Sequence, residues 1–562
     1  MGANLELLWM LAEHLLATGL PAAAAAALAA RAGVRSVPLL LATALVGSGV
    51  VAIASFWLYY ADPTLGQTGS FLFLFGSALV LVRCLREGIE AALLRELATP
   101  FALWALAGAF VLFLGFLHGG TGEPLLTATT RFSHQLPSDN EIPRYFAEWF
   151  YVHGHHGPPP PFADWLSSDR PPLQIGYALS QRPFGWDGAG LHYEVLGVVV
   201  QQLWIFGLWA LLCAARLRPR TRGLVAFAAI VSDVAIVHAF FVWPKLIAAA
   251  FLLAALAMVV SAEWTELRRR PAAAALFAAL CALAMLSHGS SAFFVLPLLG
   301  LAALRGMPSW SWIGVAIAVG IVLLAPWSAY QRYADPPGDR LVKWQLGGSL
   351  EIDNRGALET VADSYREAGL GGTLENKWGN VTTIVDQDET ESALRDAAEL
   401  AGEGHPGQAI MAVRLVRFFG LVPCLGLLLL GPAAMLLARL RGKRVGPDWR
   451  FAVFGLGFSA LACLVWVLLM FGGPNAMTVI HQGSLAVPLL ATCACVAGAC
   501  AVDARLGAGL VAANVALVLV LYVPALTPPP GSAYSPLAGL LAAAAFAGLA
   551  LLTLRPTPDH RA

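Results

Sequence analysis

The sequence predicts an all-α, polytopic membrane protein, and three observations carry that expectation. Of its 562 residues, 58% are hydrophobic and 12% charged, and the mean hydropathy is +0.69. Soluble domains carry about a quarter charged residues. This chain therefore has roughly half the charge needed to wet a globular surface, which excludes a soluble enzyme, a disordered scaffold and a secreted disulfide scaffold. The apolar residues also fall in runs that match a bilayer crossing of about 20 residues. Finally, the ionisable residues are segregated, with basic residues in short connectors and acidic residues concentrated in two long segments.

Taken in order, apolar runs lie near 5–30, 37–60, 69–84, 100–118, 193–215, 223–242, 244–262, 271–287, 291–304, 310–329, 412–438, 451–471, 481–501, 506–524 and 535–555. The expectation is about 13–15 transmembrane helices. The first run carries Glu6, Glu13 and His14, and Pro21 is a candidate kink. The pair at 271–304 reads either as two short spans broken at Ser287-His288-Gly289 or as a re-entrant element. No basic region of a cleaved signal peptide opens the chain, since Glu6 precedes the first basic residue, Arg31.

Positive charge near helix ends gives the orientation. One set of connectors holds 21 of the 35 basic residues, among them Arg31 and Arg35, Arg216 to Arg222, Arg268 to Arg270, and Arg439 to Arg450. The opposite set includes the long segments 119–192 and 330–411. Both long loops are thus expected outside the cytoplasm, with the C-terminus inside and, for an odd span count, the N-terminus outside. The organisation is N-terminal helices over 1–118, a first loop over 119–192, a central bundle over 193–329, a second loop over 330–411 and C-terminal helices over 412–562. In the second loop, Glu359 to Glu367 and Glu389 to Gly402 read as polar or amphipathic helices, with Gly371-Gly372 as a break.

Net charge is zero, which gives no electrostatic argument for a nucleic-acid partner. The eight cysteines all lie in or beside apolar runs, so neither a disulfide framework nor a metal cluster is indicated, and Cys493, Cys495 and Cys500 read as packing residues. Rich Ala, Leu and Arg usage points to a bacterial source of high GC content.

The first loop is the informative stretch. Ser138-Asp139-Asn140-Glu141 is a helix-start signature. Ser138 with Glu141 fits a capping box, but Pro143 would then lack a needed N–H. With Asn140 as cap, Pro143 falls in the tolerated first turn and Asp139 is free just ahead of it. The helix is expected to run to about Val152, with Tyr145 and Trp149 on one face. His153, His155 and His156 invite a metal reading, yet they are too close to share a helix face and precede a proline run. A solvated loop cluster is the plainer reading, and no cofactor is indicated by a clear ligand set, although a divalent metal is compatible. Next, Asp169-Arg170-Pro171-Pro172 presents an acid and a base on stiff extended backbone. This is either a site for a phosphate-bearing lipid or a salt bridge that holds the loop.

Other polar groups gather at the same helix ends: Trp243-Pro244-Lys245, Ser287-His288-Gly289 and His481-Gln482-Gly483. Snorkelling explains such residues singly, while their agreement on one side favours a shared cavity. Arg340 and Lys343 in the second loop sit near headgroup level, and Asp233 lies within a span, where a carboxylate is a functional candidate. Asn380-Val381-Thr382 fits a glycosylation sequon that arises often by chance.

A helix-opening acid, then Pro143-Arg144-Tyr145-Phe146-Ala147-Glu148, a loop, and Asp169-Arg170-Pro171-Pro172-Leu173 resembles the first extracytoplasmic loop of GT-C membrane glycosyltransferases. It is most similar to the branch of protein O-mannosyltransferases and the transferase that places aminoarabinose on lipid A. The likeness in motif spans about forty residues; in the family the loop commonly follows the first span, whereas here several precede it. The resemblance implies a GT-C-like bundle moving a sugar from a polyprenyl-phosphate donor to a lipid, glycan or protein acceptor at the outer face of the cytoplasmic membrane. It implies Asp139 as catalytic aspartate, with Glu141 as its rival because one residue is inserted. It further aligns Arg144, Tyr145, Asp169 and Arg170 with family positions.

On chemical grounds a carboxylate accepts the proton of an attacking hydroxyl, while cations absorb the charge growing on a phosphate leaving group. Asp139 is the candidate base. Arg144, Arg170, Arg340 and Lys343 are the candidate clamp, and Lys245, His288 and His481 are further binding candidates. One base facing one clamped phosphate implies inversion. The competing classes are a transporter or flippase of lipid-linked sugars, which would place paired charges and broken helices at mid-membrane, and a glycan ligase.

Overall fold

A computed structural model describes residues 2–132, 136–185, 190–385, 387–419, 421–473, 485–525 and 533–555. Every regular element among them is helical, the only β feature being an isolated bridge between Phe162 and Trp165. The N-terminal helices are α1 (Gly2–Arg31), α2 (Val37–Ala61), α3 (Pro63–Arg86) and α4 (Ala91–Gly115). The first loop carries α5 (Pro124–Thr130), α6 (Ile142–His153) and α7 (Leu173–Gln181). The central bundle follows as α8 (Leu191–Gln201), α9 (Trp204–Ala214), α10 (Pro219–Ile230), α11 (Asp233–Phe240), α12 (Lys245–Val260), α13 (Trp264–Leu267), α14 (Pro271–Ser287), α15 (Ala292–Leu304) and α16 (Trp310–Ala329). The second loop holds α17 (Arg340–Gly347), α18 (Ala357–Val385), α19 (Gln387–Gly402) and α20 (Pro406–Phe419). The chain closes with α21 (Leu421–Leu425), α22 (Leu430–Leu440), α23 (Trp449–Leu469), α24 (Ala486–Val502), α25 (Ala504–Tyr522) and α26 (Pro536–Leu554).

Among the described residues, ten helices are long and apolar enough to cross a membrane, and the pair α10–α11, bent by 46°, makes an eleventh if the two count as one span. That is fewer full-length spans than the expected 13–15. The remaining apolar runs became helices of 10–17 residues: α12, α14, α24 and the segment 289–304. At 1.5 Å per residue, α12 is about 24 Å long, short of the ~30 Å hydrocarbon layer. Its short length is tolerated because protein surrounds it: every residue from Lys245 to Val259 is buried, as is every residue of α24 from Ala486 to Ala501. Hydropathy registers such helices as spans but cannot tell a protein neighbour from a lipid one.

Local expectations fared unevenly. The first helix runs through Pro21 unbroken. The 271–304 pair is two helices separated at His288–Ser291. In the second loop the break falls at Gly369, with φ 59° and ψ −171°, not at Gly371-Gly372; a positive φ selects glycine, and Gly369 is the one that adopts it. Cys213 and Cys281 are half-buried and the other six cysteines buried.

Basic connectors gather at one end of the bundle. Arg31 pairs with Glu87 and Arg35 with Glu90, tying the α1–α2 turn to the α3–α4 turn. Arg218 pairs with buried Asp448 at 2.7 Å. From that end α14 runs from Pro271 to Ser287 and α12 returns from Lys245 to Val260, so Ser287 and Lys245 both lie at the opposite end, with the long loops.

Two glycines allow the close helix contacts that locate the site. A Cβ on Gly207 would lie 2.1 Å from the Ala250 carbonyl oxygen, between α9 and α12, and one on Gly176 would lie 2.1 Å from the Ala52 oxygen, between α7 and α2. Backbone against backbone cannot yield by a rotamer change. Gly176→Ala is therefore expected to push α7 away from α2 and lower stability by about 1–3 kcal/mol, measured by thermal unfolding of the purified protein in detergent.

Candidate active site

The first loop folds as its prolines dictate. A short 3₁₀ turn, Ser138–Asn140, precedes α6, and Pro143 sits in the first helical turn, where a missing N–H is harmless. Neither a Ser138–Glu141 capping box nor an Asn140 cap forms: no side chain caps α6, and Asn140 is buried and donates to the Leu125 carbonyl. The 3₁₀ turn holds Asp139 just ahead of the helix. Farther on, Asp169 closes a second 3₁₀ turn, Ser167–Asp169, by accepting from the Leu166 N–H at 2.9 Å.

Asp139 and Arg170 meet across 31 residues, with Oδ1 and Nη2 3.3 Å apart and side chains 16% and 14% exposed. Both line a pocket with about 390 Å³ of empty volume, counting the part open to solvent. Pro143, Pro171 and Gln174 of the first loop complete one wall; Trp243-Pro244, Ser287-His288-Gly289 and Leu341 form the rest. Four chain segments distant in sequence thus converge on one cavity at the loop end of the bundle.

The cations around it differ in how they are held. Burial pulls the Arg170 guanidinium below its ordinary range against the field of Asp139 and Asp169, and its carbon lies 4.1 Å from the Trp165 ring centroid. Lys245 is fully buried at the start of α12, beside Trp243, with its Nζ 3.3 Å from that ring centroid and no hydrogen-bond acceptor among the described residues. His288 Nδ1 lies 2.8 Å from Ser290 Oγ and its ring stands edge-on to Trp243. Arg340 and Lys343 do not line the pocket. Arg340 binds Asp164 at 2.6 Å, Asp169 at 3.5 Å and the Leu350 carbonyl, and stacks on the same Trp165. Lys343 is held by Asp339 and Asp353 at 3.0 and 2.8 Å. The stiff pair Asp169–Arg170 also divides: Asp169 turns to Arg340 and Arg170 to Asp139.

These inner pairs fasten the two loops together. Asp335 accepts from Ser167 Oγ at 2.6 Å and from the Ser168 N–H at 3.0 Å, and Gln331 donates to the Ser168 carbonyl. Removing Arg340 takes the nearest cation from Asp169, whose side chain is 0% exposed. Arg340→Ala is expected to lose roughly 3 kcal/mol of stability. Burial already holds the Asp169 carboxyl above the ordinary carboxylate range, over the opposing pull of the Leu166 N–H and the arginines. A raised folded pKa means folding disfavours the ionised form, so the Arg340→Ala deficit should shrink as pH falls through that raised value. Thermal unfolding across pH, with Asp169→Asn added to Arg340→Ala, checks both the size and the sign.

The remaining candidates lie around this centre. Glu141 opens α6 and is half-buried, Tyr145 packs edge-on against Phe162, and Arg144 lies over Gly190, so close that a Cβ there would sit 3.3 Å from its Nε. None of the three lines the pocket. His481 lies outside the described residues. Of the loop histidines, His153 stacks on Trp149 and His155 meets the Ala61 carbonyl. Asn380 of the sequon is buried and donates to the Met470 carbonyl, which denies it to a modifying enzyme.

Sequence reasoning missed the polar floor. Gln174 Nε2 donates to Tyr193 Oη and to the Val242 carbonyl, both at 2.7 Å, while Gln201 Oε1 accepts from the Ile247 N–H near the start of α12. The available signal was Glu194, Gln201 and Gln202 inside an apolar run, since polar groups in a membrane helix face the bundle interior. No protein family profile matches the chain, and neither a curated protein nor a solved structure matches it.

Proposed function

We propose that this protein is a membrane glycosyltransferase that moves a sugar from a polyprenyl-phosphate donor to a hydroxyl of a lipid, glycan or protein acceptor. The observation that carries the reading is the convergence of one carboxylate, Asp139, with Arg170 in a single pocket whose Trp243 wall adjoins the buried Lys245. In the reaction the acceptor oxygen bonds to the anomeric carbon as that carbon's bond to the phosphate oxygen breaks. The acceptor proton passes to Asp139, and the electron pair leaves on polyprenyl phosphate. Arg170 offers a planar fork to the phosphate; engaging it also frees Asp139 from the 3.3 Å ion pair that holds it in the resting site. A phosphate brought against Lys245 would hold it as an ammonium in a water-poor setting, where charge stabilisation is strong. Attack opposite the clamped phosphate inverts the anomeric centre. The charge asymmetry of the connectors supports placing the pocket at the outer face of the membrane.

A transporter of lipid-linked sugars is the second reading, favoured by the bend between α10 and α11, where Asp233 opens α11, and by Glu194, 0% exposed in α8 with neither carboxylate oxygen hydrogen-bonded. Reconstituting the full chain in vesicles loaded with polyprenyl-phosphate sugar and crude acceptor membranes separates the two. A transferase releases free polyprenyl phosphate and leaves glycosylated acceptor; a carrier leaves the donor intact and relocated.

A further inference from the structure

Away from the pocket, α1 carries Glu13 and His14 on a helix that packs beside α8, where His192 sits in the first turn. One ligand atom from each of these residues lies within 4.8 Å of the others. His14 is 0% exposed, and its Nε2 lies 3.3 Å from His192 Nδ1. Two nitrogens bound to one tetrahedral zinc at 2.0–2.1 Å would stand about 3.3–3.4 Å apart, so the imidazoles already hold the spacing a metal asks of them.

The surroundings turn the His14 lone pair toward His192, whose Nδ1–H donates to it until a metal displaces that proton. Gln181 Nε2 donates to Thr18 Oγ1 at 2.9 Å, which turns Gln181 Oε1 toward His14. His14 Nδ1, 2.8 Å from that oxygen, is therefore the N–H side of the ring, and Nε2 is left as an acceptor facing His192. A ligating histidine is commonly oriented in this way, by an acceptor on its other nitrogen. Glu13 Oε1 is buried beside the pair without a hydrogen-bond donor among the described residues, a costly state for a carboxylate in a membrane helix unless a cation meets it. Gly185 leaves the space open: a Cβ there would lie 2.8 Å from His192 Cε1 and 3.3 Å from Glu13 Oε1.

We infer that Glu13, His14 and His192 form a divalent metal site of the zinc class, with two imidazoles and one carboxylate as ligands and Gln181 orienting His14. The carboxylate reaches bonding distance by side-chain rotation. The bound ion ties α1 to α8 and, through Gln181, to α7, the helix whose Gln174 lines the pocket. Three protein ligands leave a fourth position for water or for a group of an incoming ligand.

The test is Zn²⁺ binding by the purified full-length protein in detergent, stripped with a chelator and titrated against a competing chelator, with bound metal counted by elemental analysis. The expected result is one Zn²⁺ per chain at submicromolar affinity, weakened at least about 100-fold by His192→Gln and about 10–100-fold by Gln181→Leu. Co²⁺ should give the intense visible absorption of a four-coordinate ion in the wild type and lose it in His192→Gln. His14 is fully buried and its replacement can disturb folding, so Glu13→Gln and Gly185→Val, both at half-buried positions, read the site independently; each must weaken binding while leaving a monodisperse protein. Unchanged zinc stoichiometry and affinity in His192→Gln and Gly185→Val would overturn the assignment, as would a wild-type protein that binds no zinc.

Discussion

If the proposed transfer holds, Asp139→Asn is expected to lower it by about 10²–10⁴-fold, the range general-base catalysis supplies, without lowering the amount of folded protein in the membrane. The amide keeps the shape of the side chain and can still place an oxygen near Arg170 Nη2, now 3.3 Å from Oδ1, but it cannot accept the acceptor's proton. Asp139 is half-buried and makes no cap for α6, and Arg170, its ion-pair partner, keeps the field of Asp169 when the Asp139 charge is removed. The check is initial rate in membrane vesicles with native donor lipid, normalised to protein that survives heating in detergent. Glu141→Gln is the paired control. Glu141 does not line the pocket, and a loss confined to Glu141→Gln would transfer the role of base to it.

Lys245→Met is the second large effect, and it sets activity against stability. The Lys245 side chain is 0% exposed, lies over Trp243 and has no hydrogen-bond acceptor among the described residues. A buried donor without an acceptor costs about 1–3 kcal/mol, partly offset by the cation–π contact at up to about 2 kcal/mol. Methionine keeps the length of the side chain and removes the charge, so apparent Tm should hold or rise. If the ammonium exists to meet a phosphate, transfer should fall by about 10²–10³-fold, the range for losing one preorganised charge partner. A lysine that serves only the fold gives the opposite pair of results, with lower Tm and unchanged rate per folded molecule. Measuring both quantities on one preparation distinguishes the cases.

How much of this was legible in the sequence depends on whether partners are near in the chain. Asp139 and Arg170 could be read because prolines on either side fix local backbone, and because helix ends rich in polar groups stand out in a chain with 12% charged residues. Trp243-Pro244 and Ser287-His288-Gly289 could be read for the same reason, and the pocket contains both. The partners of Arg340 and Lys343 could not. Each is a cation near headgroup level in the sequence, and only the folded loops reveal that Asp164, Asp169, Asp339 and Asp353 consume them. Trp165, on which two guanidiniums stack, looks in sequence like any interfacial tryptophan. The apolar runs were found at nearly the right positions, yet burial within the bundle, as for α12 and α24, decides which need the full bilayer length. The cluster of Glu13, His14 and His192 was half visible as polar residues in the first span; its third member lies 178 residues away from His14.

The most direct test of the central proposal is mass spectrometry of envelope glycans and lipid-linked sugars from cells that lack this protein, beside cells with it restored and cells given Asp139→Asn at equal abundance. A transferase predicts that one sugar disappears from an acceptor and its polyprenyl-phosphate donor accumulates, and that Asp139→Asn leaves both changes in place. Full restoration of the profile by Asp139→Asn, or a donor pool and acceptor set unaltered by the protein's loss, would contradict it.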